Sequence, residues 1–498
     1  MIKSTSLILL ASLLGSLAYA KSDHWAVLVA GSSGYWNYRH QADVCHAYHL
    51  LRDKGEIPED QIIVFAYDDI ASNPENKFKG KLFNKPNGKD VYQGCKIDYN
   101  GTDVQPEHFL KVLEGDHKFM EGKGSGKVLN TTSESKVFVF FTDHGATGIL
   151  GFPDTQLYAD QLIASFKTMH QNKRYDQMVV YIEACESGSI FEGKLEDNLN
   201  IYVMTASNAF ESSWATYCYP DDLINGEHLG TCLGDLFSVN WMEDSDQQNL
   251  EKETLLQQFE KVKNETDQSH VMQYGQLTFI GDPIGYFQAN FDKKNIQNSF
   301  DVDYKEQEAK EQTYNNLNEQ HFKIHQGSNQ QKSLWEQLMK RTLSMLGQES
   351  QSDESYFQVL DESQQADLLE IKQRSSIKSR DAKLHYLFTK MLLDDYQSHL
   401  IQLDFQQELN YRQRVDHIFE EFRMKIGGGN FIDPRKNVIP QDFECLRAAI
   451  SIYKTYSGQS LDEYEFQYVR YFVQACEVIE SEEKQSIIRD AIIESCTY

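Results

Sequence analysis

Val137-Phe138-Val139-Phe140-Phe141-Thr142-Asp143-His144-Gly145 is an unbroken apolar run that ends in three residues of another kind. A strand with one wet face alternates apolar and polar residues; one without alternation is buried on both faces, as in a parallel sheet covered by helices. Working outward, Met178-Val179-Val180-Tyr181-Ile182-Glu183-Ala184-Cys185-Glu186-Ser187-Gly188 has the same form, and residues 25–30, 61–67 and 201–206 repeat it. Between the first two runs in the chain, residues 38–52 carry Val44, Tyr48 and Leu51 at helical spacing, with Gly55 beyond them as a stop. Strand, helix, strand in this rhythm predicts an α/β domain on a mostly parallel sheet flanked by helices.

The character changes near residue 285. Residues 290–333 are rich in Gln, Asn, Lys and Glu, and read as an exposed, partly helical linker. Helical periodicity with little strand signal then appears at 334–346, 357–371, 384–403, 411–424, 442–453, 463–479 and 484–495, predicting a separate all-α region over 334–498. At the other end, Lys3, the apolar stretch 7–17 and Ala18-Tyr19-Ala20 read as a signal peptide, residues 1–20. Its apolar run is too short to span a bilayer, and no later window has about eighteen apolar residues in a row. The organisation expected is therefore a leader 1–20, an α/β domain 21–289, a linker 290–333 and a helical region 334–498, in the secretory pathway and soluble.

Composition sets limits on partners. The 498 residues include 75 acidic and 48 basic side chains, a formal net charge of −27, which argues against nucleic acid or an anionic membrane. An apolar fraction of 40% is enough for a sizeable core. Three sequons begin at Asn100, Asn130 and Asn264, candidate glycosylation sites in a secreted chain. Eight cysteines are too few for a disulfide scaffold but allow one or two bridges.

In an open α/β sheet, ligands bind at the carboxyl ends of the strands. His144 and Cys185 each follow a buried strand, so they share that edge. This is the placement a nucleophilic thiolate and its imidazole partner need. A lone His or Cys is usually a packed or surface residue; two closing adjacent apolar strands argue for chemistry. The N–H groups of Gly145 and Cys185 are candidate oxyanion donors. Glu183, two residues before Cys185, points to the same face. A charge inside an apolar strand is costly unless paired, so an Arg39–Glu183 structural ion pair is the plain alternative to a binding role.

The chain also resembles the legumain family of asparaginyl endopeptidases, or vacuolar processing enzymes, relatives of the caspases. The resemblance runs from His24 to about Ile284, densest in HWAVLVAGS, NYRHQADVCHAYH, VFAYDDIA, FFTDHGATGILGFP, YIEACESGS, ESSWATYC, CLGDLFSVNWMEDSD and SHVMQYG. It is looser in the helical region, through ECLRAAISIYKTY and YVRYFVQACE. It implies a caspase-like sheet, Cys185 as nucleophile, His144 as partner, Gly145 as oxyanion donor and Asn37 as the residue that orients His144, unless Asn37 is a simple turn residue. It implies a pocket for asparagine made by Arg39, His40, Glu183 and Asp235, walled by Ser212 and Ser213. An asparagine side chain has one carbonyl acceptor and an amide with two donors, so such a pocket needs a cation and carboxylates. Two carboxylates repel aspartate unless protonated, so aspartate is accepted only in acid. Asp143 matches a family aspartate that cyclises to a succinimide linked to ligation, a side activity the resemblance leaves open here.

The resemblance further implies bridges Cys218–Cys232 and Cys445–Cys476, with Cys496 left without its usual partner because Ser457 stands there. Cys45 and Cys95 read as ordinary residues. It implies that the helical region is a prodomain covering the site of a zymogen, that acid releases it by cutting at a linker asparagine (Asn290, Asn295, Asn298, Asn315, Asn316, Asn318 or Asn329), and that cystatin-type inhibitors are partners alongside protein and peptide substrates in a lysosome, vacuole or extracellular space. No cofactor and no metal are expected: Cys45, His46 and His49 fall inside a family motif, and Glu243, Asp244 and Asp246 read as a solvated helix start. Two other readings stand beside this one. A glycolipid-anchor transamidase shares the Cys–His edge but needs a membrane span. A silent binding protein on a dead scaffold would have no reason to keep the whole residue set.

Overall fold

The computed structural model describes residues 23–291, 375–393, 399–426, 433, 436–458 and 460–497. The expected leader, the linker beyond residue 291 and the candidate helices at 334–346 and 357–371 lie outside them.

Each apolar run forms a strand: β1 (His24–Ala30), β2 (Ile62–Phe65), β3 (Lys136–Thr142), β4 (Gln177–Glu183) and β5 (Ile201–Thr205). They pair in parallel in the order β2-β1-β3-β4-β5. Two short strands, β6 (Trp214–Thr216) and β7 (Gly234–Asp235), pair with each other beside the main sheet. β8 (Met272–Gly275) joins the free edge of β5 antiparallel, which makes six strands.

The lack of alternation has its physical cause in two cores, one per face. Val137, Val139 and Phe141 pack with Phe109, Phe152 and Phe166, while Phe138 and Phe140 pack with Tyr48 and Trp241 on the opposite side. Both phenylalanines meet the Trp241 ring edge-on, at centroid distances of 5.7 and 5.1 Å. The helix expected at 38–52 is Tyr38–His49, followed by a wide turn over Leu50–Lys54. Gly55 ends it, but not through a left-handed backbone, since its φ is −81°. A Cβ there would stand 2.1 Å from the Gln288 carbonyl oxygen, so close approach is what requires glycine.

The C-terminal region is helical: Ala382–Leu393, His399–Lys425, Phe443–Ser457, Val469–Val478 and Lys484–Cys496. The runs expected at 384–403 and 411–424 are divided differently. His399–Lys425 takes in the end of the first run and all of the second as one helix because Ile401, Phe405, Leu409, Val415, Phe419 and Phe422 form one buried stripe along it. This region also contains a strand that periodicity did not foretell, β9 (Ile377–Lys378), antiparallel on β6. One apolar cluster runs from the sheet face into these helices, joining Ile149 and Phe152 to Phe443, Phe466 and Phe472. Gly148, at φ 78°, sits at that seam, where a Cβ would lie 2.6 Å from Pro440. Among the described residues no helix is long and apolar enough to cross a membrane.

Three disulfides are present. Cys218–Cys232 and Cys445–Cys476 are joined, and Cys496 is free. Cys45 and Cys95, ordinary residues by their sequence context, are also joined. The loop after β2 folds back against the helix carrying Cys45, a contact that a sequence separation of 50 does not announce.

Candidate active site

The register puts Thr142 opposite Glu183 and Ala30 opposite Thr142, so β1, β3 and β4 end level with one another. The segments that leave these strands therefore meet on one edge: the stretch leading to Asn37 after β1, Asp143 and His144 after β3, and Cys185 after β4. Gly145 packs so tightly on Cys185 that a Cβ would stand 2.5 Å from its carbonyl oxygen. The turn after the thiol holds Glu186 at φ 53°, an uncommon conformation for a residue with a side chain.

His144 is fixed from one side. Its Nε2 lies 2.8 Å from Asn37 Oδ1. The amide of Asn37 is oriented in turn, because its Nδ2 donates to the Ser33 carbonyl at 3.0 Å. An amide oxygen only accepts, so Nε2 carries the hydrogen and Nδ1 is left as the bare, basic nitrogen. Nδ1 has no hydrogen-bond partner. Cys185 is buried, with Sγ 3.7 Å from Ser213 Oγ. Burial pushes its thiol up, while Arg380 pulls the other way.

The pocket residues converge behind this pair. Arg39 Nε donates to Asp235 Oδ1 at 2.8 Å, with both side chains fully buried. Glu183 does not make the ion pair with Arg39 that the sequence allowed; its Oε2 accepts from the N–H and the hydroxyl of Ser238, both at 3.0 Å. Among the buried atoms here that make no hydrogen bond are Arg39 Nη2 and Glu183 Oε1, a donor and an acceptor. Burial first, and the Asp235 charge second, push the Glu183 carboxyl well above its ordinary range. His40 is held neutral by burial, with Arg39 adding to the effect, and its Nδ1 meets Ser32 Oγ at 2.5 Å. Asp143 is raised to about 7 by burial.

The C-terminal region covers this centre. β9 lies on β6, and beside it Ser379 donates its N–H to the Ser213 carbonyl at 3.1 Å while its hydroxyl meets Ser213 Oγ at 3.1 Å. Arg380 Nε donates to Ser212 Oγ at 2.7 Å. Glu463 Oε2 reaches His144 Nε2 and Asn37 Nδ2, each at 3.1 Å. Burial works to raise the Glu463 carboxyl, but His144, Asn37 and Lys383 outweigh it and hold it down at about 2. Further out, Arg470 pairs with Glu186 at 2.7 Å and Arg447 with Asp160 at 2.9 Å.

Every residue singled out on the strand edge is thus in one place. The sequence reading missed Ser32, Ser238, Asp43, Arg380 and Glu463. Asp43 was findable: it stands one helical turn after Arg39, and its carboxylate accepts the N–H of Asp235 at 3.3 Å. Nothing in the sequence brings Glu463 to Asn37, 426 residues away. The three sequon asparagines, Asn100, Asn130 and Asn264, are all exposed.

The model of the Peptidase C13 family matches residues 24–290. Legumain of Mus musculus is 53% identical over 265 residues, covering 53% of this chain and 59% of the relative. Legumain of Homo sapiens is 52% identical over the same length, with the same coverage. The vacuolar-processing enzyme of Citrus sinensis is 53% identical over 259 residues, 51% of this chain and 52% of the relative. The matched stretch thus spans somewhat more than half the length of these curated relatives. Caspase-1 of Spodoptera frugiperda aligns over 53% of this chain and 91% of its own at 11% identity, with a TM-score of 0.31.

Proposed function

The chain belongs to the Peptidase C13 family, and on that premise we propose that it is a cysteine endopeptidase that cuts on the carboxyl side of asparagine. The observation that carries this reading is the pair of unpartnered buried atoms behind the Cys–His edge, Arg39 Nη2 and Glu183 Oε1. Each has lost its water, which is costly unless a ligand replaces it. An asparagine side chain supplies both partners: its carbonyl accepts from the guanidinium and its amide donates to the carboxylate.

In this reading the steps follow from the residues at the edge. His144 Nδ1 takes the thiol proton of Cys185 while Asn37 holds the ring through Nε2. The thiolate attacks the carbonyl carbon after asparagine, and the charge that forms on oxygen faces the N–H groups of Gly145 and Cys185. The imidazolium protonates the leaving amine, and water then releases the acyl-enzyme. Aspartate meets the Glu183 carboxylate unfavourably, so it is cut only once acid protonates the pocket.

The same proposal makes the helical region 334–498 an inhibitory prodomain. Support comes from Glu463 on the catalytic imidazole and from β9 on the strand next to Ser212 and Ser213. Activation takes place in acid, by cleavage in the linker, in a lysosomal or vacuolar compartment; the names of the relatives support that location. A library of peptides digested after acid treatment, with Cys185→Ser as control, tests the activity. Cuts after asparagine that vanish in the variant are expected; cuts spread over many residue types, or unchanged in the variant, refute it. Acid shortening of Cys185→Ala equal to that of the parent refutes self-processing.

A further inference from the structure

Three buried side chains at the catalytic edge have an arrangement that peptide hydrolysis alone does not require. His40, Asp143 and His144 each offer a ligand atom, and these atoms lie within 4.8 Å of one another. His40 is 0% exposed, Asp143 3% and His144 5%. His40 Nε2, Asp143 Oδ1 and His144 Nδ1 make no hydrogen bond, with His40 Nε2 standing 3.4 Å from Asp235 Oδ2 and Asp143 Oδ1 3.5 Å from His40 Nδ1. The other nitrogen of each imidazole is held by an oxygen, His40 Nδ1 by Ser32 Oγ at 2.5 Å and His144 Nε2 by Asn37 Oδ1 at 2.8 Å. In each ring one nitrogen is hydrogen-bonded and the other is not, which is the pattern of metal-binding histidines, whose outer partner fixes the ring. Both tethers come from the stretch between β1 and the helix that starts at Tyr38, so the rings do not depend on a metal to hold their places.

We propose that His40, Asp143 and His144 bind a borderline divalent transition cation of the Zn2+ class, which blocks the catalytic centre reversibly. Two imidazole nitrogens and one carboxylate oxygen suit Zn2+, which takes such ligands at about 2.0–2.2 Å and leaves a fourth position for water. Hard cations such as Mg2+ prefer an all-oxygen shell and are excluded by the two imidazoles. The cation takes His144 Nδ1, the nitrogen that otherwise serves the thiol. Neither imidazole can donate that lone pair twice, so metal and catalysis exclude each other.

The test is calorimetric titration of ZnCl2 into the full chain carrying Cys185→Ala, which removes the thiol as a competing ligand. Because binding is read without turnover, its failure is separate from any failure of the peptidase reading. One site per chain is expected, weakened about tenfold or more by Asp143→Asn and also by His40→Gln, with no comparable site for MgCl2. Far-ultraviolet dichroism of both variants establishes that they are folded. Binding of equal strength in both folded variants would place the ion elsewhere, for instance at the exposed His270–Glu211 pair (2.8 Å), and overturns the proposal. Absence of binding in the parent chain also overturns it.

Discussion

Replacing Glu463 by glutamine removes one negative charge from beside the His144 imidazole and little else. The size of the effect comes from the carboxyl itself, which moves from an ordinary 4.5 to about 2 when the C-terminal region is seated. A displacement of that size corresponds to roughly 3 kcal/mol favouring the covered state when Glu463 is ionised. The pKa is depressed, so this stabilisation is fully present above 4.5 and is lost as pH falls through 2. By the same linkage less than half of it remains at about pH 3. Glutamine behaves as the protonated form at every pH. The assay is urea unfolding of the full chain in a Cys185→Ala background, with and without Glu463→Gln, at pH 7 and pH 3. The variant is expected to be less stable by up to about 3 kcal/mol at pH 7, with the gap narrowing by more than half at pH 3. A gap that is absent at pH 7, or the same at both pH values, refutes the assignment of Glu463 as the charge that holds the lid on His144. Two neighbours work in the opposite sense. Asp462 and Asp143 are raised to about 7 in the covered state. Their contribution is full in acid below their unfolded values and is lost as pH rises through 7, so they resist opening in acid.

Glu183→Gln leaves the pocket shape but exchanges its unpartnered acceptor for an uncharged amide; kcat/KM for asparagine peptides is expected to fall about a hundredfold while the margin over aspartate narrows, and an unchanged ratio counts against the pocket. Asn37→Ala frees the His144 ring, so kcat is expected to drop by one to two decades or so with KM little altered, as steady-state kinetics on the processed enzyme will show. Alkylation under denaturing, non-reducing conditions with intact mass measurement is expected to label two thiols, Cys185 and Cys496; four labels mean that one of the three bridges is absent.

The fold was legible because the information for it is local. A strand such as β3 shows in its own residues that both faces are buried, and the succession of such runs with a helix between them fixes a parallel sheet. The meeting of His144 and Cys185 on one edge was legible for the same reason: they are chain neighbours of strands whose ends the register makes level. The pocket needed more. Arg39 and Glu183 looked like partners in sequence terms, yet the guanidinium turned to Asp235 and left Glu183 to Ser238, a choice made by three-dimensional packing. The C-terminal region was legible only as a set of helices. Which of its carboxylates meets His144, and that residues 377–378 lay a strand on β6, depends on docking between distant segments. The acidic balance, −27 overall, suggests an acid sensor when taken alone. At the covered site only Glu463 is lowered, while Glu186, Asp143 and Asp462 are raised, so net charge is a poor guide to which contacts acid breaks.

The most direct measurement compares two peptides that differ only in asparagine or aspartate before the scissile bond, cut by the processed enzyme near neutral pH. An asparagine pocket built on Arg39 and Glu183 predicts that kcat/KM for asparagine exceeds that for aspartate by about a hundredfold or more, and that Cys185→Ser cuts neither. Equal cleavage of the two peptides, or cleavage that survives Cys185→Ser, would contradict it.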